Sequence, residues 1–324
     1  MNYYLYRLKF DTAVHFGPSS SAQSLYTSED HFCADTLFSA LCHTALSLYG
    51  PEGLERLCRQ AKAGKLLLSD SMPWINETLY LPKPVVSARG EQEVPAAGRK
   101  AMKKLKWIPL DGFAAFARSV GGGPAYDGEA AQVEFGVSTS MAKVRILPGA
   151  DSLPYQVGLY RFKDNSGLWF LVGCETEQDA DFLQVLIEGL SYSGIGGKTS
   201  SGYGKFHVED MIFLNEPFDD STEWLYAALE NSSAARQLLL STSLPSEDEL
   251  EVLLPEAEYM LTRRAGFIQS SSFAPESRRK QTQFFLSAGS VLPSRFRAEL
   301  YEVGVSGRHP VYRLSAPLFL GVEL

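Results

Sequence analysis

Histidine and cysteine are scarce in this chain, and their scarcity narrows the chemistry it can do. Its 324 residues include five histidines and four cysteines. Cys33, Cys42, Cys58 and Cys174 form no C-x-x-C pair, and no histidine stands at zinc-ligand spacing beside them. Reduced thiols are expected, with no metal and no cofactor. No run of about 18 apolar residues occurs, so no membrane-spanning helix is expected. The opening MNYYLYRLKFD carries Arg7, Lys9 and Asp11 where a signal peptide needs an unbroken apolar core. A cytoplasmic location is the expectation. Positive charge is also in deficit, with 30 Lys and Arg against 38 Asp and Glu and a net charge of −8. That excludes a uniformly cationic surface for polyanions, but not local patches.

What cationic charge there is comes in clusters. Residues 99–106 read RKAMKKLK, so Arg99, Lys100, Lys103, Lys104 and Lys106 fall together with no acid among them. Arg278, Arg279 and Lys280 form a second cluster, and Arg263 and Arg264 a third. Acids gather elsewhere, as in Glu247 to Glu251. A surface divided in this way suits a subunit that holds RNA on one face and protein on another. Apolar residues at 45% and charged residues at 21% are ordinary globular proportions, and the length allows two domains.

Tyr3 to Phe10 has the alternation and aromatic content of a strand, followed by a loop from Gly17 to Ser21. Leu37, Phe38, Leu41, Ala45 and Leu48 then recur at helical spacing, with Asp35 placed to cap the helix and Gly50-Pro51 to end it. Short strands are expected at Lys65–Ser69 and Thr78–Leu81. From Pro82 to about Val133 the composition turns to Gly, Ala and Pro, which predicts a long insertion projecting from the core. Within it, residues 99–106 would form a short helix with a cationic face, ended by Trp107-Ile108-Pro109. Tyr155–Phe162 and Leu168–Val172 read as a hairpin joined by residues 163–167. A helix over Glu177 to Tyr192 and a strand from Tyr203 to Glu209 complete a βαββαβ order. After a linker at Pro217 to Ser221, a helix is expected at Thr222–Glu230. Strands are expected near Gln237–Ser243, Tyr259–Phe267, Gln283–Val291 and Val311–Val322. The expected fold class is α+β, with domains at 1–214 and 215–324.

The most informative segment is YSGIGGKTSSGYGKF, residues 192–206. It is not a Walker loop, because Tyr192 stands where the first glycine must be. Nor is it a dinucleotide fingerprint, since Thr199 occupies the third glycine position and the loop follows a helix instead of a strand. One reading remains beside that of a plain connector: a loop whose glycines bring backbone N–H groups close to a polyanion. Gly194, Gly196, Gly197, Lys198, Thr199, Ser200, Ser201, Gly202, Tyr203 and Lys205 are its candidate RNA contacts.

The string from Gly194 to Phe206 closely resembles the C-terminal glycine-rich signature of the RAMP superfamily of CRISPR-associated proteins. His15-Phe16-Gly17, Ala34 to Leu41, Leu286 to Val291 and the ending from Pro310 to Val322 are similar to one branch, the fourth subunit of the type III-A (Csm) effector complex. The resemblance runs from about residue 4 to 322. It implies two ferredoxin-like (RRM-like) domains, no catalysis, and a thumb-like insertion at about 83–145. It also implies a grip on the 5′ handle of the CRISPR guide RNA, and docking on a large polymerase/cyclase-type subunit and a backbone RAMP subunit. The five cations of 99–106, with Arg278, Arg279 and Lys280, would add to the RNA contact. Ala34 and Thr199 depart from the branch, where Ser and Arg or Lys are common. Thr199 weakens a phosphate contact at that position but not the loop assignment.

Relatives with this loop can mature guide RNA with a histidine, so His15, His31 and His43 are the residues an endoribonuclease reading would need, with Tyr26 or Lys62 as a second group. Nothing in the spacing selects them. A scaffold joining only proteins is the other alternative. Glu29 with Asp30, and Asp219 with Asp220, read as solvated loop or cap residues.

Overall fold

The computed structural model describes residues 1–17, 25–87, 96–146 and 152–324, leaving the side chains of 96–99 aside. Most of the Gly17–Ser21 loop, residues 88–95 of the insertion and the tip at 147–151 lie outside the described residues. The architecture is α+β.

The first strand, β1 (Asn2–Phe10), is buried on both faces. Tyr4, Tyr6 and Leu8 enter one core while Tyr3 and Leu5 enter another, as the two-residue period of a strand demands. Next come α1 (Ala34–Lys62), β2 (Leu66–Leu68), β3 (Met72–Ile75) and β4 (Thr78–Pro82). Then follow α2 (Ala96–Lys104), β5 (Trp107–Pro109), α3 (Phe113–Val120), β6 (Gly136–Arg145) and β7 (Leu153–Phe162). The first half closes with β8 (Ser166–Cys174), α4 (Glu177–Ser193) and β9 (Phe206–Phe213). Strands β5, β4, β3, β8, β1 and β9 lie side by side in that order, with β2 also on β8, each pair antiparallel. Helices α1 and α4 cover the face of Tyr4 and Tyr6.

The second half contributes α5 (Asp220–Glu230), β10 (Arg236–Leu239), α6 (Glu247–Leu253), β11 (Leu261–Arg264), β12 (Gln283–Leu286), β13 (Val291–Leu292), β14 (Glu299–Glu302), β15 (Tyr312–Ser315) and β16 (Phe319–Val322). Strand β10 lies between β13 and β16, and β11–β12 and β14–β15 form separate ribbons. Leu225, Leu238 and Leu320 share a core with Leu5 and Trp169. A polar seam adds to it. Asp70 accepts hydrogen bonds from the N–H groups of Ala34 and Thr242, both at 2.8 Å, and from the Thr242 hydroxyl at 2.6 Å.

Several expectations need correction. Asp35 does not cap α1, whose N-cap is Cys33; its carboxylate instead receives Arg264 Nε at 3.0 Å and a second bond from Arg264 Nη2. Gly50 ends the first helical stretch with a positive φ of 65°, but helix resumes at Pro51, which suits a first turn. β7 does not pair with β8. Its partner is β6, from Gly136 opposite Phe162 to Arg145 opposite Leu153, and β8 is taken by β1, β2 and β3. The insertion does not simply project. β5 joins the sheet edge beside β4, and Leu105, Ile108, Phe113 and Phe116 are buried in the core of Leu5 and Trp169. Each such burial is worth about 1.5–3 kcal/mol, more than solvation offers a loop. The helix near 99–106 runs from Ala96 to Lys104, and Trp107 to Pro109 is a strand.

Candidate nucleic-acid interface

The glycine loop is lashed to the segment that follows β1. Gly194 N–H bonds Leu190 O at 2.7 Å where α4 ends, and Ile195 N–H bonds Gly204 O at 2.9 Å. Gly204 N–H reaches Ala13 O at 2.9 Å and Gly197 N–H reaches His15 O at 2.8 Å. Lys205 N–H donates to Thr12 Oγ1 at 3.0 Å. Two of the glycines are demanded by this packing. A Cβ at Gly197 would lie 2.6 Å from the His15 ring, and one at Gly196 would lie 2.9 Å from both His15 O and the Phe16 ring. The glycines therefore bring the loop close to its own chain.

The rest of the loop reaches the surface, with Gly196 and Ser200 exposed and Lys198 and Thr199 half-buried. Among the described residues, the N–H groups of Gly196, Lys198, Thr199 and Ser200 have no acceptor. Lys198 is left-handed, with φ 63°, ahead of a single 3₁₀ turn at Thr199–Ser201. Successive N–H groups around a left-handed residue make an anion-binding concavity. Gly194 is buried, Gly202 and Tyr203 are half-buried, and Ser200, Ser201 and Lys205 are exposed.

The β6–β7 hairpin comes to meet this loop. Its base is buried through Val157, Leu159, Tyr160 and Phe162, while most of β6 is exposed. The Tyr203 hydroxyl donates to Met141 Sδ at 2.9 Å. Lys143 Nζ sits 4.6 Å from the centre of the Tyr203 ring, and Lys198 Nζ 5.1 Å from that of Tyr155. Each such cation–π contact is worth about 0.5–1 kcal/mol when exposed. Loop and hairpin thus form one surface of cations and aromatic rings. Lys143, Arg145 and Tyr155 were missed in the sequence because the hairpin was paired with the wrong strand. The alternation of β6, with Met141 and Lys143 on one face, was the available signal.

Lys100, Lys103, Lys104 and Lys106 are exposed around α2, with Ala101 and Leu105 buried beneath them. Arg99 lies in α2, its side chain outside the described set. Lys83 Nζ donates to Met102 O at 2.7 Å, satisfying a carbonyl near the end of that helix. Trp107 is half-buried, its ring edge-on to His31 at 5.3 Å and its indole N–H buried with no acceptor among the described residues. The Glu29–His31 segment lies between β5 and the stretch after β1, since the His31 ring meets Trp107 and Glu29 N–H bonds Phe16 O at 2.8 Å. Arg278 and Arg279 are exposed, with Arg279 5.0 Å over the Phe267 ring. Lys280 is instead half-buried near Asp35, Arg313 and Arg264, and burial pushes its pKa down.

The histidines differ in setting. His15 is buried and its Nδ1 lies 2.7 Å from Gly158 O, so that nitrogen carries the proton. Burial, with the Lys198 charge nearby, lowers its pKa. His31 Nδ1 pairs with Asp30 at 2.8 Å. Burial disfavours both charges, but their mutual bond outweighs it, raising His31 and bringing Asp30 down to about 2. Asp30 is therefore a paired, half-buried group, not the solvated residue expected. Glu29, Asp30 and His31 offer ligand atoms within 4.8 Å of one another, an arrangement able to take a metal, though Asp30 and His31 already satisfy each other. His43 is exposed on α1. Asp219 is the N-cap of α5, accepting Thr222 N–H at 2.7 Å.

Comparison with known proteins agrees over the whole chain. Residues 232–322 match the family model described as the CRISPR Csm4 C-terminal domain. The CRISPR system Cms protein Csm4 of Mycobacterium tuberculosis (strain ATCC 25618 / H37Rv) is 33% identical over 323 residues, covering 99% of this chain and 98% of that protein. Csm4 of Streptococcus thermophilus is 29% identical over 332 residues, covering 100% of both. In fold, the chain is similar to one in the crystal structure of a Csm3–Csm4 subcomplex of the type III-A CRISPR-Cas interference complex. The TM-score is 0.61 at 17% identity, covering 99% of each. It is also similar to one in a Csm1–Csm4 cassette bound to pppApA, with TM-score 0.58 at 20% identity, covering 100% of this chain and 99% of that one. No helix among the described residues is long and apolar enough to cross a membrane.

Proposed function

The chain belongs to the Csm4 family of CRISPR system proteins, and we propose that it is the non-catalytic subunit that holds the 5′ handle of the guide RNA in a type III-A effector complex. The observation that carries this reading is the composite surface of glycine loop and hairpin. Phosphates of the handle lie against the N–H groups of Gly196, Lys198, Thr199 and Ser200. Lys205 neutralises them together with Lys198 and Lys143, which leave their aromatic partners for the stronger charge. Tyr155 and Tyr203 then offer ring faces to bases, a contact worth about 1–3 kcal/mol each. The thumb expected at about 83–145 is narrowed in this reading to its last strand, β6, with its partner β7, and the lysines of α2, expected as its cationic part, attract the strand at longer range.

The partners we assign are the large polymerase/cyclase-type subunit and a backbone RAMP subunit, in keeping with relatives solved with Csm1 and with Csm3. We read the first half as a ferredoxin-like unit, on its βαββαβ order and on β9, β1, β8 and β2/β3 lying in the order four, one, three, two. A second such domain from residue 215 is part of the same proposal.

Holding is favoured over cleavage because His15 is wedged under the loop with one nitrogen committed, and His31 is committed to Asp30. The test is filter binding of handle RNA across a salt series, comparing the chain with a Lys198→Ala/Lys205→Ala variant. Each lost phosphate contact should lower the salt slope by about one, and an unchanged slope would remove the loop from the interface. In cells, His15→Ala and His31→Ala should leave guide-RNA length unaltered. Unprocessed precursor in either strain would make this a nuclease.

A further inference from the structure

The two arms of α1 fold back on each other, and that brings two cysteines together. Cys42 and Cys58 are 16 residues apart in the chain, which along an unbroken helix would be about 24 Å. The break at Gly50, with its positive φ of 65°, reverses the chain. A Cβ added at Gly53 would lie 3.1 Å from Ala45 O, where a continuous helix would keep the two residues about 12 Å apart. Leu41 and Ala45 of the first arm and Leu57 and Ala61 of the second are buried in one core. Cys42 and Cys58 flank that core, both half-buried, and their side chains are hydrogen-bonded to each other.

The pair is asymmetric. The Cys42 thiol donates to the Cys58 sulfur, which lowers the pKa of Cys58 against the effect of burial and raises that of Cys42 together with burial. Lys62, one helical turn beyond Cys58, also favours its thiolate, with Glu55 opposing. Lys62 Nζ meets the Tyr312 hydroxyl at 3.3 Å and lies 4.7 Å from the centre of that ring, neutral contacts that hold the cation without cancelling its charge. A partly exposed thiol beside a cation, with a second thiol in reach, has the setting of a nucleophile with a resolving partner. The other two cysteines lack it. Burial pushes Cys33 up to about 12 and Cys174 up to about 11, and Cys174 Sγ is turned to Thr176 O at 3.6 Å.

We propose that Cys42 and Cys58 form a site of reversible oxidation, closing to a disulfide that staples the two arms of α1 by exchange with a low-molecular-weight disulfide such as oxidised glutathione. The Cys58 thiolate attacks one sulfur of the small disulfide, breaking its S–S bond and releasing a first thiolate. Cys42 then gives its proton to solvent and its sulfur attacks that of Cys58, releasing the second thiolate. Two protein thiols are oxidised to one disulfide, and the small disulfide is reduced to two thiols. The assignment does not depend on the RNA reading of the glycine loop.

The full chain, equilibrated in glutathione buffers of increasing oxidation, trapped with N-ethylmaleimide and mapped by peptide mass spectrometry, tests it. A Cys42–Cys58 disulfide is expected, reversed by dithiothreitol, with Cys33 and Cys174 still reduced. Closing a loop of this length should raise the melting temperature by about 5 °C. In Cys42→Ser, Cys58 should stop at a mixed disulfide with glutathione. In Cys58→Ser, Cys42 should be capped about tenfold more slowly. Melting curves of the reduced variants check that both fold, and the mapping of the unaltered chain stands without them. The proposal is overturned if Cys42 and Cys58 stay reduced or carry separate glutathione caps in the unaltered chain. It is overturned equally if their disulfide forms only in urea, or if Cys42 is capped as fast as Cys58 in the single variants.

Discussion

The glycine-loop face and the seam around Asp35 use charge in opposite ways. On the face, Lys143 and Lys198 rest on aromatic rings, in contacts that a phosphate can replace. In the seam, Arg264 and Asp35 are 12% and 8% exposed and hold each other by two bonds. Arg313 reinforces them, donating to Arg264 O, Gln281 O and Gln283 Oε1. In sequence both regions look alike, each a short motif with cations placed near it. The difference lies in what the backbone has already satisfied. A cation surrounded by carbonyls and a carboxylate is already paired within the fold, whereas one beside unpaired N–H groups and ring faces keeps its charge for the RNA contact we propose.

The largest effect should come from breaking the seam. Arg264→Ala leaves Asp35 as a buried carboxylate short of its main partner, which costs about 3–5 kcal/mol. Urea denaturation would read this as a lower midpoint with a similar slope. Replacing both residues with apolar ones of similar volume should restore much of the loss, since neither charge is then stranded.

Acid sharpens the same comparison. Burial disfavours the Asp35 carboxylate, but Arg264 and Arg313 outweigh it and hold its pKa below the ordinary 3.8. A depressed acid gives stability that is present above 3.8 and is lost as pH falls from there through the folded value. Asp70 runs the other way. Burial raises its pKa despite its hydrogen bonds, so it favours folding below 3.8 and loses that contribution as pH rises through its folded value. Stability measured against pH should therefore fall more gently on acidification in Asp35→Asn, and more steeply in Asp70→Asn. Identical profiles in the two variants would show that the seam does not titrate as described.

On the glycine face the effect should appear in binding and spare stability. Tyr155→Ala should weaken handle RNA by about 1–3 kcal/mol through lost stacking, and Lys143→Ala should lower the salt slope by about one. Melting should move little for Lys143→Ala, because what the half-buried side chain loses is its cation–π contact with Tyr203, worth about 0.5–1 kcal/mol. A Lys143→Ala variant that binds normally at every salt concentration would return the interface to the loop alone.

Much of the fold was legible where local pattern and tertiary packing agree. The β1 strand, the first stretch of α1, α4 and α5 follow from periodicity and capping, and Asp219 and Thr222 do form a capping box. The glycine loop was legible as a helix-to-strand connector. The failures share a cause. β3, with Pro73 and Trp74 in four residues, carries no strand signature and is fixed by its pairing with β8. The insertion looked like a projecting loop because its glycines and lysines hide the spacing of Ile108, Phe113 and Phe116, which only a second core could reward. β8 is buried along its whole length, so its apolar run suggested a hairpin partner next in sequence, when its neighbours come from far along the chain.

The smallest effect should come from the lysines of α2. Their side chains stand in solvent over a helix held by Ala101 and Leu105, and they contact neither Tyr155 nor Tyr203. In the proposed reading they act on RNA by long-range attraction, which falls off within about 8 Å at physiological salt. Lys103→Ala/Lys104→Ala should therefore leave stability unchanged within about 0.5 kcal/mol. Handle association should slow measurably at low salt, while dissociation stays the same, since rim charges act mainly on the rate of encounter. Stopped-flow mixing at two salt concentrations separates the two rates. Faster dissociation in the variant would mean that α2 touches the bound strand, and the interface would then extend from the hairpin across the insertion.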